Sequence, residues 1–159
     1  ADLGAWDVGV TGTYYLDRVA TTPGSPPNDT FDTDGQTRDV RLRERGKISW
    51  SLDNWSVTTF VNYRSHLFTG EAPPPNLPDY PGLVPNYVTF DLALGFNTRD
   101  LPANDYLKNI AIQFVVLDLT NKKPPFAYKQ STSGGTVAYW GAVDSAFERQ
   151  FSLTVTKSW

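Results

Sequence analysis

Six segments of the chain alternate apolar and polar residues with a period of two, and the gaps between them are long and short in turn. Successive side chains of a β-strand point to opposite faces, so each segment predicts a strand with one apolar and one polar side. The final segment, Arg149 to Trp159, keeps the pattern most strictly. Phe151, Leu153, Val155 and Trp159 share one face, while Gln150, Ser152, Thr154, Thr156 and Ser158 share the other, and Lys157 is the one interruption. Chain ends of soluble proteins usually fray into water. An apolar strand ending on an indole predicts instead the closing strand of a transmembrane barrel.

The earlier segments repeat the arrangement. Ala5 to Arg18 sets Trp6, Val8, Val10, Tyr14 and Leu16 against Asp7, Thr11, Thr13, Tyr15 and Asp17, and Arg38 to Trp50 sets Val40, Leu42, Ile48 and Trp50 against Arg41, Arg43, Arg45, Lys47 and Ser49. Trp55, Val57, Val61 and Tyr63 then alternate with Ser56, Thr58, Phe60, Asn62 and Arg64, and the tight connection Ser51 to Asn54 makes a hairpin of this pair. From about Tyr87, Val88, Phe90, Leu92, Leu94 and Phe96 oppose Thr89, Asp91, Ala93, Gly95 and Asn97. After a connection through Asp100, Pro102 and Asn104, Ile110, Ile112, Phe114 and Val116 oppose Asn109, Ala111, Gln113, Val115 and Leu117. The long gaps are rich in turn formers. One runs through Pro23, Gly24, Pro26, Pro27, Asn28 and Gly35, the second from Thr69 to Pro85, and the third from Asn121 to Glu148. Such stretches predict loops that do not continue the sheet. The expected fold class is all-β, an antiparallel up-and-down meander of about six strands.

Composition decides what kind of sheet this is. The mean hydropathy of −0.38 does not argue against a membrane, because a transmembrane strand needs only about 9–11 residues with every second one apolar. No stretch approaches the ~20 consecutive apolar residues of a spanning helix. Aromatic residues make up 14% of the chain, as expected where rings serve both apolar and interfacial surfaces. The absence of cysteine excludes disulfides, thiolate metal sites and cysteine nucleophiles. A net charge of −3 provides no general attraction for nucleic acid. With no methionine, the sequence reads as a processed product or a fragment.

Loop length and tryptophan placement give one orientation. Outer-membrane barrels have short periplasmic turns and long external loops. With the end of the last strand periplasmic, the Ser51 to Asn54 and Thr98 to Leu107 connections are periplasmic too, and the three long loops are external. Trp6, Trp50, Trp55, Phe96 and Trp159 then gather at one boundary, as an aromatic girdle does. A soluble β-sandwich, whose strands also alternate, is the other reading of the pattern, but it predicts no asymmetry between successive connections. Glu44 runs against the barrel reading: it falls on the apolar face, where a midplane charge costs of the order of a few kcal/mol unless a bulge re-aims it.

The C-terminal half also carries a family resemblance. LKNIAIQFVVLDLTNKKPPF, followed by a loop and ERQFSLTVTKSW, resembles the end of a TonB-dependent outer-membrane receptor. In that family a strand commonly runs into Val, any residue, Asn, Leu, an aromatic or Leu, Asp or Asn, a basic pair and Pro-Pro. Here the stretch is Val116 to Pro125, with Asp118 and Thr120 departing from the usual Asn and aromatic. TGTYYLDRVA and WSVTTFVNYRSH are similar to earlier strands of such barrels.

The resemblance implies the C-terminal segment, residues 1–159, of a larger transmembrane β-barrel in the bacterial outer membrane, importing a scarce ligand of the siderophore, cobalamin or carbohydrate class. Phe151, Leu153, Val155 and Trp159 would form the signal read by the barrel-assembly machinery. The implied partners are outer-membrane lipid, the rest of the barrel, a plug domain, and the TonB energy-coupling protein acting through an N-terminal part that this sequence does not contain. The family's barrel has twenty-two strands. A passive porin wall shares the same terminal signal.

Candidate chemistry is sparse. His66 is the only histidine and reads as an ordinary polar residue near the external mouth. No serine lies in a nucleophile elbow, so the chain is expected to be no enzyme and to need no cofactor or metal. The basic row Arg41, Arg43, Arg45 and Lys47 offers guanidinium and ammonium groups to the carboxylates or phosphates of a ligand. The competing expectation is that the row pairs with plug residues, or with lumen carboxylates such as Asp7 and Asp17. Trp140, Tyr139, Tyr128, Phe126 and Tyr80 are the loop aromatics that could stack on a ligand.

Overall fold

The computed structural model describes residues 3–17, 19–21, 23–24, 28–29, 39–69, 78–80, 82–99, 104, 106–130, 136–137, 144 and 147–159. They form β1 (Ala5–Tyr14), β2 (Val19–Ala20), β3 (Asn28–Asp29), β4 (Leu42–Leu52), β5 (Trp55–Arg64), β6 (Leu67–Phe68), β7 (Leu83–Val84), β8 (Tyr87–Asn97), β9 (Ile110–Leu117), β10 (Lys129–Gln130), β11 (Thr136–Val137) and β12 (Gln150–Lys157). The long strands make one six-stranded sheet in the order β1-β4-β5-β8-β9-β12, every pair antiparallel. The meander expected from the alternation is therefore present, although β1 stops at Tyr14, before the expected Leu16 and Asp17, and β4 starts at Leu42, after the expected Val40 and Arg41; Arg18 and Arg38 lie outside the described residues. No helix occurs among the described residues, so none there is long and apolar enough to cross a membrane.

Register turns alternation into continuous rows. Trp6, Trp50, Val57, Leu94, Phe114 and Leu153 pair in succession across all six strands, and Val8, Ile48, Thr59, Leu92, Val116 and Phe151 form the next row. Directly opposed side chains on one face lie about 5 Å apart, so these rows make one apolar surface. The reverse face carries Asp7, Ser49, Thr58 and Ser152 in a single row with Ala93 and Val115.

Several large apolar side chains are exposed while a few charged ones are buried. On the apolar face Trp6 is 66% exposed, Val10 75% and Leu153 66%. Among the described residues the buried charged ones are Arg64, Asp91 and Asp144. Val40, Leu67, Val84 and Ala127 form the buried apolar cluster, and it lies outside the six long strands. These four residues come from the three long connections, which the cluster ties together at one end of the sheet.

Turn chemistry explains the opposite end. The β4–β5 hairpin has only Asp53 and Asn54 between its paired ends Leu52 and Trp55. Asp53 has a φ of 49°, and Asn109, Asp118 and Asn121 are also in the left-handed region. Asp and Asn tolerate that conformation better than other residues with a Cβ. Asn54 Nδ2 donates to the Asn97 carbonyl at 2.8 Å, and Asn97 N donates back to the Asn54 carbonyl at 2.9 Å, locking the turn to the end of β8.

The long connections depart from expectation. Each carries a two-residue ladder, β2–β3, β6–β7 and β10–β11, where the turn-former clusters predicted none. The β6–β7 pair explains why. Leu67 pairs with Val84 and Phe68 with Leu83, continuing the β5–β8 alignment after a break, and burial of Leu67 and Val84 holds the resumed ladder in place.

Candidate functional site

The polar face is most structured at the long-loop end. β5 delivers Arg64 there as its last residue, with both it and Asp144 only 5% exposed. Arg64 Nε donates to Asp144 Oδ1 at 2.6 Å and an Nη to Oδ2 at 2.5 Å, a two-pronged pair between residues 80 positions apart. The other Nη donates to the carbonyls of Pro85 at 2.8 Å and Ser65 at 3.1 Å. The guanidinium plane also lies 5.6 Å from the centre of the Tyr87 ring. A charge this deeply buried needs such partners, because unpaired burial is costly.

A second node forms on Asp91. Asn62 Nδ2 donates to Asp91 Oδ2 at 2.9 Å, the Asp118 amide donates to Oδ1 at 3.1 Å, and Arg45 approaches at 3.6 Å. Arg45 also stacks over the Phe60 ring, 4.1 Å from its centre. Lys47 is ion-paired with Asp7. These groups border a recess of about 640 Å3 whose walls include Thr11, Arg43, Arg45, Arg64, Asp118 and Glu148. Its size is within the range of small-molecule sites.

The expected basic row is thus resolved into individual situations. Lys47 and Arg45 are engaged by carboxylates of the same sheet, and Asp7 is the partner that the competing expectation named. Arg43 faces the recess and makes no ion pair among the described residues. Arg41 lies just before β4, where its carbonyl accepts from the Tyr15 amide at 2.9 Å. Asp17 is exposed.

Among the loop aromatics, Tyr80 and Phe126 meet edge to face at 5.5 Å, and the Tyr128 amide donates to the Tyr80 hydroxyl at 3.2 Å. Tyr139 and Trp140 lie outside the described residues. His66 is exposed, with its amide donating to Asn86 Oδ1 at 2.7 Å.

The girdle residues lie at the short-turn end. Trp6 and Trp50 share one row and Trp55 and Phe96 the adjacent one, the last two with ring centres 4.6 Å apart. Trp159 follows β12 rather than lying in it, and Lys157 stacks over its ring at 5.1 Å. Lys157 Nζ also donates to the Lys108 carbonyl, so the interruption in the terminal pattern reaches away from the apolar rows.

Glu44 remains on the apolar face, because the β1–β4 and β4–β5 ladders run without a bulge. Its row neighbours are Gly12 and Tyr63. Glu44 Cγ lies beside Gly12, 3.5 Å from where a Cβ would stand, an ordinary contact distance.

No family model matches the chain, nor does any curated protein or solved structure.

Sequence reasoning put Arg64, Asn62 and Asp91 on the correct face without singling them out. Their association depends on the β5–β8 register, and the connection between those strands is too long to reveal it. Asp144 carried no local signal.

Proposed function

We propose that the chain is the C-terminal part of the β-barrel of a TonB-dependent outer-membrane receptor, contributing wall, external loops and assembly signal to the import of a scarce ligand. The observation that carries this reading is the apolar face, continuous over six strands and largely uncovered. Soluble monomers rarely expose contiguous apolar patches beyond about 300–600 Å2, whereas a barrel wall turns such a face to lipid. The polar face, where Arg45, Lys47 and Arg64 are each paired with a carboxylate, is suited to a lumen.

Glu44 fits this arrangement by height. It lies eight residues from Leu52, about 27 Å along the strand at ~3.4 Å per residue. A tilt of ~40° brings that to about 20 Å above the turn end, near the far limit of an apolar band ~25 Å tall. At that height a carboxylate reaches headgroups and water. The row of Ile48 and Leu92 falls close to mid-height.

The two departures from the family's usual motif are also locally compatible. Asp118 occupies a left-handed position at φ 51°, which Asp shares with Asn as a tolerated residue. Thr120 Oγ1 donates to Asp118 Oδ1 at 3.2 Å, a role an aromatic side chain would not fill.

Expression behind a secretion signal tests the barrel: it should be soluble only in detergent or lipid and migrate faster in gels before boiling than after. A monodisperse protein in plain buffer would refute it. A plug and coupling box encoded upstream separates a receptor from a passive porin.

A further inference from the structure

We propose that Arg64 and Asp144 form a clamp that fixes the returning limb of the third long loop across the mouth of the polar recess, making the three long loops one preassembled rim. Arg64 belongs to β5, the accepting Pro85 carbonyl to the end of the second long loop, and Asp144 to the third. One side chain of β5 therefore bonds to both the second and the third long loops. Nε and both Nη groups of its fork are used, and a planar guanidinium holds a carboxylate in one orientation where an ammonium would not.

A separate contact links the same loops. Val40, Leu67, Val84 and Ala127 join the first, second and third connections in a buried cluster, with Leu67, Val84 and Ala127 fully buried. Just beyond Asp144, Phe147 and Glu148 line the recess, and the Arg149 amide donates to Asn121 Oδ1 at 2.8 Å, closing the base of the third loop. The limb is thus held at Asp144 and at Arg149, on either side of the recess-lining Phe147 and Glu148. Arg64 acts as a positioning residue for the rim, whatever strands complete the wall.

Spin labels provide the test, because the chain has no cysteine to interfere. Labels at Thr11→Cys and Glu148→Cys span the recess from β1 to the third loop, and labels at Thr11→Cys and Gln150→Cys span it from strand to strand. With Asp144 intact, both pairs should give a single narrow distance. Asp144→Asn should abolish the narrow distance to position 148 and leave the strand-to-strand distance unchanged, and Asp144→Glu should restore the former. If Asp144→Asn abolishes the β-sheet circular dichroism, Arg64→Lys, which keeps the charge but loses the fork, takes its place with the same expected loss. An unchanged 11-to-148 distance in these variants overturns the clamp. So does equal broadening of both pairs, which would make the ion pair a general brace of the sheet.

Discussion

On the apolar face of the sheet, Trp6, Val10 and Leu153 stand in the open, whereas at the long-loop end of the polar face Arg64 and Asp144 are sealed from solvent. One set of strands builds both surfaces, so the difference lies in what each faces. A row such as Trp6, Trp50, Val57, Leu94, Phe114 and Leu153 has no other described strand packed over it. The buried ion pair carries its own surroundings, in the form of two carbonyls and an aromatic ring. Polarity on one side is left to the environment, and on the other it is satisfied within the chain.

Removing one member of the sealed pair should have the largest effect. Asp144→Ala leaves Arg64 buried without its carboxylate and is expected to cost about 3–5 kcal/mol, read as a lowered denaturant midpoint. Next comes the apolar face. Leu92→Arg, near mid-height, should destabilise the protein in lipid by about 2–4 kcal/mol. If the same change instead improves behaviour in plain buffer without loss of stability, the face is not a lipid-facing one. Asp53→Ala should cost about 1–2 kcal/mol, because alanine lacks the side chain that helps Asp accept a left-handed φ; Asp53→Gly should match or exceed the parent in a thermal melt. The smallest effect belongs to an open ion pair. Lys47→Ala breaks the contact with Asp7, both side chains being substantially exposed, and should change the midpoint by less than about 1 kcal/mol.

The contrast between the two faces was only half legible beforehand. Alternation assigned nearly every strand residue to its face, including Phe60 and Leu117, which interrupt the polar side. It could not say that Arg45 would lie over Phe60 or that Asp91 would gather Asn62, Arg45 and the Asp118 amide. Those contacts need the β5–β8 and β8–β9 registers, and only the two-residue β4–β5 turn limits a register from sequence alone. Glu44 shows the same gap. Its face was readable, but its height along the strand, and its place beside Gly12, depended on pairing.

The long connections were the least legible part. Proline and glycine identify them as loops and say nothing of how loops from different hairpins meet. Val40, Leu67, Val84 and Ala127 have no common periodicity, and Arg64 and Asp144 lie 80 residues apart. Their association is a matter of close packing and charge pairing among distant segments.

By itself the sequence determined the period-two pattern, hence six strands, their two faces, the short hairpin and the gathering of tryptophans at one end, because these follow from how a single strand orients its side chains. Tertiary structure alone decided the registers, the loop cluster, the Arg64–Asp144 pair and the recess they border, because each brings together groups from different hairpins whose alignment no local rule sets.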